Sequence, residues 1–276
     1  MNKVQKIIFF LMITLASGNL SAQFYIGAGA GVFTLRDNNE NSISSDAKGF
    51  ALKAGYVYMF SKNFGLGAGI EYVQYSQTVI AKDNISYNTF LIDDTNSAFE
   101  YRVKTAGYSE AQKLNALQVP VFVQFKTLIN TGINFYARAG IKYLMPQQFT
   151  ASATANQVDA SGYYPDFNLL ITNLPSRGFG SQANYSASGT YKAENVFVSS
   201  FEVGFSFKVA KKSAIYAGIF LDKGINSLIK NNSDNSFIGY NPVSATDRPL
   251  NGIFSSKAST EVKPNNFGLS LTYSFE

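Results

Sequence analysis

The chain has 276 residues, 46% of them apolar and only 15% charged, with 24 Phe, 17 Tyr and 22 Gly but no Cys, His or Trp. Without His or Cys there is no His-centred nucleophile relay, no imidazole or thiolate metal site, no disulfide and no lipidation at cysteine. The formal charge of +5 falls to +3 without Lys3 and Lys6, and no basic stripe exists, so nucleic acid is not an expected partner.

Residues 1–22 read MNKVQKIIFFLMITLASGNLSA. Lys3 and Lys6 give a short positive region, 7–16 an apolar run, and 17–22 a small polar stretch ending in Ala22. This pattern predicts a secretory signal peptide cleaved after Ala22. Its ten-residue apolar run reaches only about 15 Å as a helix, half a bilayer core. No later stretch holds 18 consecutive apolar residues. Residues 23–276 are expected to form one domain.

That domain alternates with a period of two. In 24–34, Phe24, Ile26, Ala28, Ala30 and Val32 alternate with Gly27, Gly29 and Gly31. The same pattern recurs in 50–60, 64–75, 116–126, 135–144, 197–209 and 267–275, and more weakly in 214–222. Successive side chains of a strand point to opposite faces, so each segment has one greasy face and one small or polar face. The connections 61–63, 127–134 and 210–213 are short, whereas 35–49, 76–115, 145–196 and 223–266 are long.

Eight antiparallel strands with every second connection long predict an all-β, up-and-down transmembrane barrel with short periplasmic turns and long extracellular loops. A closed barrel satisfies every backbone group between strands and has no edge. A soluble barrel or sandwich would bury the greasy faces together instead. Phe24, Tyr56, Tyr72, Tyr143 and Tyr273 suit interfacial girdles.

Four stretches, AQFYIGAGAGVF (22–33), LQVPVFVQFK (117–126), FYARAGIKYLMP (135–146) and FGLSLTYSF (267–275), resemble small outer-membrane barrels of the OmpA/OmpX type. The resemblance is to the Bacteroidetes-like outer-membrane β-barrel domain family. It implies an integral cell-envelope protein in contact with outer-membrane lipid and lipopolysaccharide. It also implies that the barrel assembly machinery reads Phe275, with Tyr273 and Leu271 before it, although Glu276 makes that aromatic penultimate.

By parity, Lys53, Glu71, Gln118, Gln124, Arg138, Lys142, Glu202 and Lys208 point inward. Buried charges need partners, so an ion network built around Arg138 with Glu71 and Glu202, joined by Lys53 or Lys142, is expected to plug the lumen. Losing Arg138 should then strand two carboxylates.

In the loop 76–115, the runs 85–91 and 99–103 predict a hairpin, either projecting above the barrel or entering it to make ten strands. Ser109-x-x-Gln112 is a weak helix-start signal. Phe167, Leu169, Leu170, Ile171 and Leu174 are the only apolar cluster of 145–196 and are expected to fold over the barrel mouth. The Asn/Ser/Asp-rich segment 223–266 reads as flexible, and Asp93-Asp94 does not have the spacing of a calcium loop.

No catalytic, cofactor or metal set stands out. The expected function is non-enzymatic display of extracellular loops in envelope integrity, in adhesion, or as a subunit bound to another outer-membrane protein. A narrow porin-like channel for small or hydrophobic solutes and a His-independent membrane enzyme are the alternatives.

Overall fold

The computed structural model describes residues 22–38, 42–81, 86–230, 236–256, 259 and 261–275. Apart from Ala22, the expected leader lies outside the described residues, as does Glu276. Among the described residues the structure is all β and antiparallel, with three single-turn 3₁₀ segments and no α-helix.

Twelve strands form, in chain order β1 (Ala22–Asp37), β2 (Ser42–Met59), β3 (Phe64–Ala81), β4 (Ser86–Ile92), β5 (Ala98–Ala106), β6 (Ser109–Asn130), β7 (Ile133–Tyr164), β8 (Leu169–Ile171), β9 (Gly180–Thr190), β10 (Val196–Ala210), β11 (Ser213–Gly224) and β12 (Val262–Phe275). Eight of them close a ring. β1 pairs β2 and β12, β2 pairs β3, β3 pairs β6, β6 pairs β7, β7 pairs β10, β10 pairs β11, and β11 pairs β12. The closing ladder runs from Val196↔Leu144 to Phe207↔Ile133. Each of the eight alternating segments falls inside one ring strand, except that Phe60 lies just past the end of β2.

Parity decides the faces. Leu269, Ile141 and Phe201, from three separate strands, are 70%, 52% and 48% exposed on the outside, whereas Tyr25, Tyr136, Tyr216 and Arg138 are buried inside. The weakest segment follows the rule, with Ile219 and Leu221 out and Tyr216 and Phe220 in. Lys208 shares the parity of buried Ser206 but is exposed, because it lies near the end of β10 beside the short turn 211–212.

Gly31 and Gly268 face each other across β1 and β12, and a Cβ on Gly31 would sit 2.2 Å from the Phe267 carbonyl oxygen. No side chain fits at that approach. Gly132 takes φ +82° in the turn between β6 and β7, a left-handed conformation that favours glycine.

The expected long loops are mostly strand. β7 runs for 32 residues, and its part beyond Leu144 pairs β6, β5, β8 and β9. The hairpin is β4–β5, which stands outside the ring, so the ring has eight strands and not ten. Ser109 begins strand β6, so no helical turn forms at 109–112. The connection 35–49 shrinks to 38–41 because β1 and β2 extend into it.

The core of this extension also differs from expectation. Phe167 is 68% exposed, and Leu169, Leu170 and Leu174 are exposed as well. The buried core is instead Phe99, Tyr101, Phe179, Tyr185, Phe237 and Phe254, with Ile238, Leu250 and Ile253 beside them. Five of these nine come from the segment that reads as flexible. That segment is fastened by the Ile238↔Leu250 bridge and by Arg248, which donates to the Gly180 carbonyl at 2.9 Å. Phe254→Ala should therefore destabilise the extension by about 3–5 kcal/mol, and Phe167→Ala by less than about 0.5 kcal/mol. Limited proteolysis and thermal unfolding of the purified variants in detergent check that ranking.

Candidate functional site

The ring's interior carries three cations and three carboxylates near mid-height. Their placement follows from register. Arg138 lies directly opposite Glu202 across β7 and β10, and opposite Gln124 across β6 and β7. Lys53 lies opposite Glu71 on β2 and β3, and Asp222 opposite Asn266 on β11 and β12.

Two clusters result. In the first, Lys53 Nζ reaches Glu202 Oε2 at 2.9 Å and Ser270 Oγ at 2.6 Å. β2 and β10 are four strands apart in either direction around the ring, so this pair spans the full diameter. The Tyr136 hydroxyl donates to Glu202 Oε1 at 2.7 Å, and Arg138 Nη1 approaches the same oxygen at 3.4 Å. Arg138 Nε donates to Gln124 Oε1 at 2.8 Å. Its guanidinium carbon lies between 5.1 and 5.5 Å from the ring centroids of Tyr25, Phe122, Tyr136 and Tyr216, an aromatic box suited to a cation.

In the second cluster, Lys142 Nζ bonds Glu71 Oε2 at 2.9 Å and Asp222 Oδ2 at 3.0 Å. The structure thus brings together all five charged residues picked from the sequence, but as two groups. Glu71 goes to Lys142 and not to Arg138, because Lys142 stands two strands from β3 and two from β11, within reach of both carboxylates. Asp222 was missed, although it continues the inward parity of Tyr216, Gly218 and Phe220. Gln124, Tyr136 and Ser270 were missed as partners because pairing across a lumen leaves no local sequence signal.

A cavity of about 20 Å³ lies between the clusters, bordered by Tyr25, Lys53, Glu71, Arg138, Lys142 and Glu202, room for about one water. A far larger hollow, about 680 Å³, lies over Ala28 and Ala54 and is lined by Ile26, Leu52 and Leu271, with Lys53 also on its border. Among the described residues, no group of three or more acidic side chains is placed to hold a metal.

The extension has its own buried carboxylate. Glu110 is fully buried and accepts bonds from the hydroxyls of Tyr108 and Tyr191, from Gln112 Nε2 at 2.7 Å and from the Ile253 N–H at 2.9 Å. Burial, then the neighbouring carboxylate, pushes both phenols well above their ordinary range, so they remain donors. Glu110 thereby ties the last connection to β6 through hydrogen bonds alone.

At the tip, Asp93 accepts from the Thr95 hydroxyl and from the Thr95 and Ser97 backbone N–H groups, which shapes the β4–β5 turn. Those bonds, that of the Thr95 hydroxyl first, hold its carboxyl below the usual range. Asp94 pairs with Arg177.

No protein-family model matches the chain, and no characterised protein sequence matches it. Among solved structures, it is similar to the neisserial surface protein A, NspA, at 11% identity over 91% of this chain and 96% of the other, with a TM-score of 0.36. It is also similar to Ail, the attachment invasion locus protein of Yersinia pestis, solved with the heparin analogue sucrose octasulfate. That match has 13% identity over 92% and 97% of the two chains and a TM-score of 0.33. A third is the monoaromatic hydrocarbon channel CymD, at 8% identity over 95% and 90% and a TM-score of 0.20. At those scores no residue correspondence carries over.

The two-cluster layout reverses the rank expected from sequence. Lys142→Ala strands both Glu71 and Asp222 and should cost about 3–5 kcal/mol. Arg138→Ala should cost less, because Glu202 keeps Lys53 and Tyr136. Unfolding in urea from detergent or lipid, followed by heat-modifiable gel mobility, measures both. At the tip, the depressed Asp93 carboxyl contributes order above the ordinary aspartate value of about 3.9 and loses it as pH falls below that value. Amide exchange at Thr95 and Ser97 should quicken on acidification, and Asp93→Asn should remove that step.

Proposed function

We propose that the chain is a non-enzymatic outer-membrane β-barrel. Its closed lumen serves as a rigid mount, and its β-extension is displayed outside the cell to contact a protein partner, in adhesion or in an outer-membrane complex. The observation that carries this is the pairing of an apolar outer wall with an interior crossed by charge pairs. An exterior that leaves Leu269, Leu271, Ile141 and Phe201 uncovered is costly in water and matched by hydrocarbon. Six ionisable groups held in two clusters cross the lumen, and the cavity they border has room for about one water, which favours a mount over the channel reading.

The barrel would reach the outer membrane through a leader cleaved after Ala22 and contact lipid and lipopolysaccharide along that wall. Leu271, Tyr273 and Phe275 alternate on the outward face of β12, which suits an aromatic signal read by the barrel assembly machinery. The short turns and the ends of β1 and β12 share one end of the ring, the periplasmic one in this orientation.

The absence of cysteine makes the orientation directly testable. Val243→Cys, at the tip of the last connection, should react with a membrane-impermeant maleimide on intact cells. Lys212→Cys, in the turn between β10 and β11, should react only after the outer membrane is permeabilised. The opposite pattern inverts the orientation, and equal labelling of both sites removes the membrane span. In planar bilayers the purified chain should pass no steady current; stepwise conductance would sink the closed-lumen part.

A further inference from the structure

The end of the ring that carries the short turns is built largely from 57–68, 122–136 and 204–217, which hold five lysines and no Asp or Glu. Lys62 lies in the β2–β3 turn, Lys126 near the end of β6, Lys208 near the end of β10, and Lys211 and Lys212 in the β10–β11 turn. Hydrogen bonds join these sites into one arc. The Lys126 N–H donates to the Asn63 carbonyl at 2.7 Å, and Asn63 Nδ2 donates to the Lys126 carbonyl at 2.8 Å. The Lys208 N–H donates to the Gly132 carbonyl of the β6–β7 turn at 2.8 Å. The Phe64 N–H donates to Ser61 Oγ at 2.9 Å, which shapes the β2–β3 turn.

The arc differs in charge from the far side of the molecule. Lys62, Lys208, Lys211 and Lys212 are exposed, and among the described residues none of the four meets a carboxylate in an ion pair. Beyond the other end of the ring, Lys230 reaches Glu194 at 3.8 Å and Lys263 reaches Glu261 at 2.6 Å. Glu276 follows β12 at the lysine end and lies outside the described residues. Like charges gathered along one rim repel one another, and anions from outside the chain offset that cost. Each basic site also adjoins an uncovered apolar one: Phe60 is 58%, Leu128 68% and Val209 51% exposed. Phe60 and Val209 each stand two residues before a lysine, at most about 7 Å of chain. That is a step from hydrocarbon to phosphate at a bilayer surface, and a lysine stem spans it with its ammonium on the wet side.

We propose that this lysine arc binds the headgroups of anionic phospholipids in the leaflet it faces, the periplasmic one, and gathers a shell of phosphatidylglycerol-type lipid around the short turns. Charge complementarity selects an anion, since the arc offers ammonium groups alone. The adjoining apolar side chains select one that carries its own hydrocarbon: a soluble anion would leave Phe60, Leu128 and Val209 uncovered, whereas an acyl chain covers them. Clusters of roughly four to eight basic residues directly beside a membrane-spanning segment show this preference for anionic lipid. The arc also follows the curve of the ring at the foot of its apolar wall, which is the path of a lipid shell.

This deepens the outer-membrane reading, on which it rests, by naming a lipid class and the side chains that choose it. The chain has no tryptophan, so a single one can report the lipid beside it. Phe60→Trp reads the arc, and Phe50→Trp, at another exposed position farther along the same outer wall, reads away from it. Each full-length variant goes into phosphatidylcholine vesicles holding a minor share of phosphatidylglycerol, with one lipid or the other brominated as a quencher. Phosphatidylglycerol next to Phe60→Trp should exceed its bulk share about fivefold, the attraction of one lysine near an anionic surface, and next to Phe50→Trp should match it. Lys62→Gln, Lys208→Gln, Lys211→Gln and Lys212→Gln combined should abolish the excess. So should about 1 M salt, where the screening length is roughly 3 Å, and that arm leaves the lysines in place and does not depend on the folding of the combined variant. A bulk share at Phe60→Trp, an excess that survives both treatments, or an equal excess at Phe50→Trp overturns the proposal. So do lysine-dependent cross-links to a soluble periplasmic protein without lipid enrichment, since the occupant would then be a protein. The two readings fail separately: no quenching by brominated phosphatidylcholine at either site removes the membrane span, whereas quenching with an unenriched shell removes the lysine arc alone.

Discussion

The ladder between β7 and β10 is the constraint from which the rest follows. With it, each of the eight ring strands has two neighbours, and the ring has no edge to satisfy elsewhere. A closed ring of pleated strands has only an inside and an outside, so the alternation of every segment is resolved at once. Most isoleucines and leucines go out, glycine and charge go in, and phenylalanine and tyrosine divide between the two faces. Eight strands leave an interior that side chains nearly fill. The inward glycines of β1, β2, β3 and β7 give space to large neighbours such as Phe220, Phe33, Tyr25 and Phe122.

Two buried polar systems solve the same desolvation problem differently. In the ring, carboxylates meet ammonium or guanidinium groups across the lumen, since charge left unpaired in a dry interior is costly. Lys53 to Glu202 acts as a strut across the diameter, and Lys142 bridges two carboxylates on opposite flanks. In the extension, Glu110 meets no cation among its hydrogen-bond partners; two phenols, one amide and one backbone N–H share its charge. The first arrangement holds strands that are far apart in the ring. The second holds a connection against a sheet, and with Tyr191 and Phe254 it makes a segment rich in Asn and Ser into part of a core.

β7 joins the two regions. Its lower half is a ring strand and its upper half the spine of the extension, carrying β6 and β5 along one edge and β9 and β8 along the other. That continuity gives the tip a stiff connection to the ring and leaves β4 at an outer edge of the sheet.

The sequence by itself determined the period of two in eight segments, the side of each strand that is apolar, and five of the six charged residues clustered inside, because side-chain direction along a strand is a local property. It also placed the β4–β5 hairpin, through two alternating runs around Asp93-Asp94-Thr95. It did not determine the upper half of β7. There Ala and Gly alternate with Ser and Thr, giving little hydrophobic contrast, and the buried parity shifts from odd to even between Ala155 and Val158. Nor did it assign the core of the extension, for which Phe167 and Leu170 looked suitable and Phe237 and Phe254 did not. Which charge meets which was likewise decided only by tertiary structure. Partners across a ring are set by strand order and stagger, so Lys53 and Glu202, 149 positions apart, become neighbours only when the ring closes.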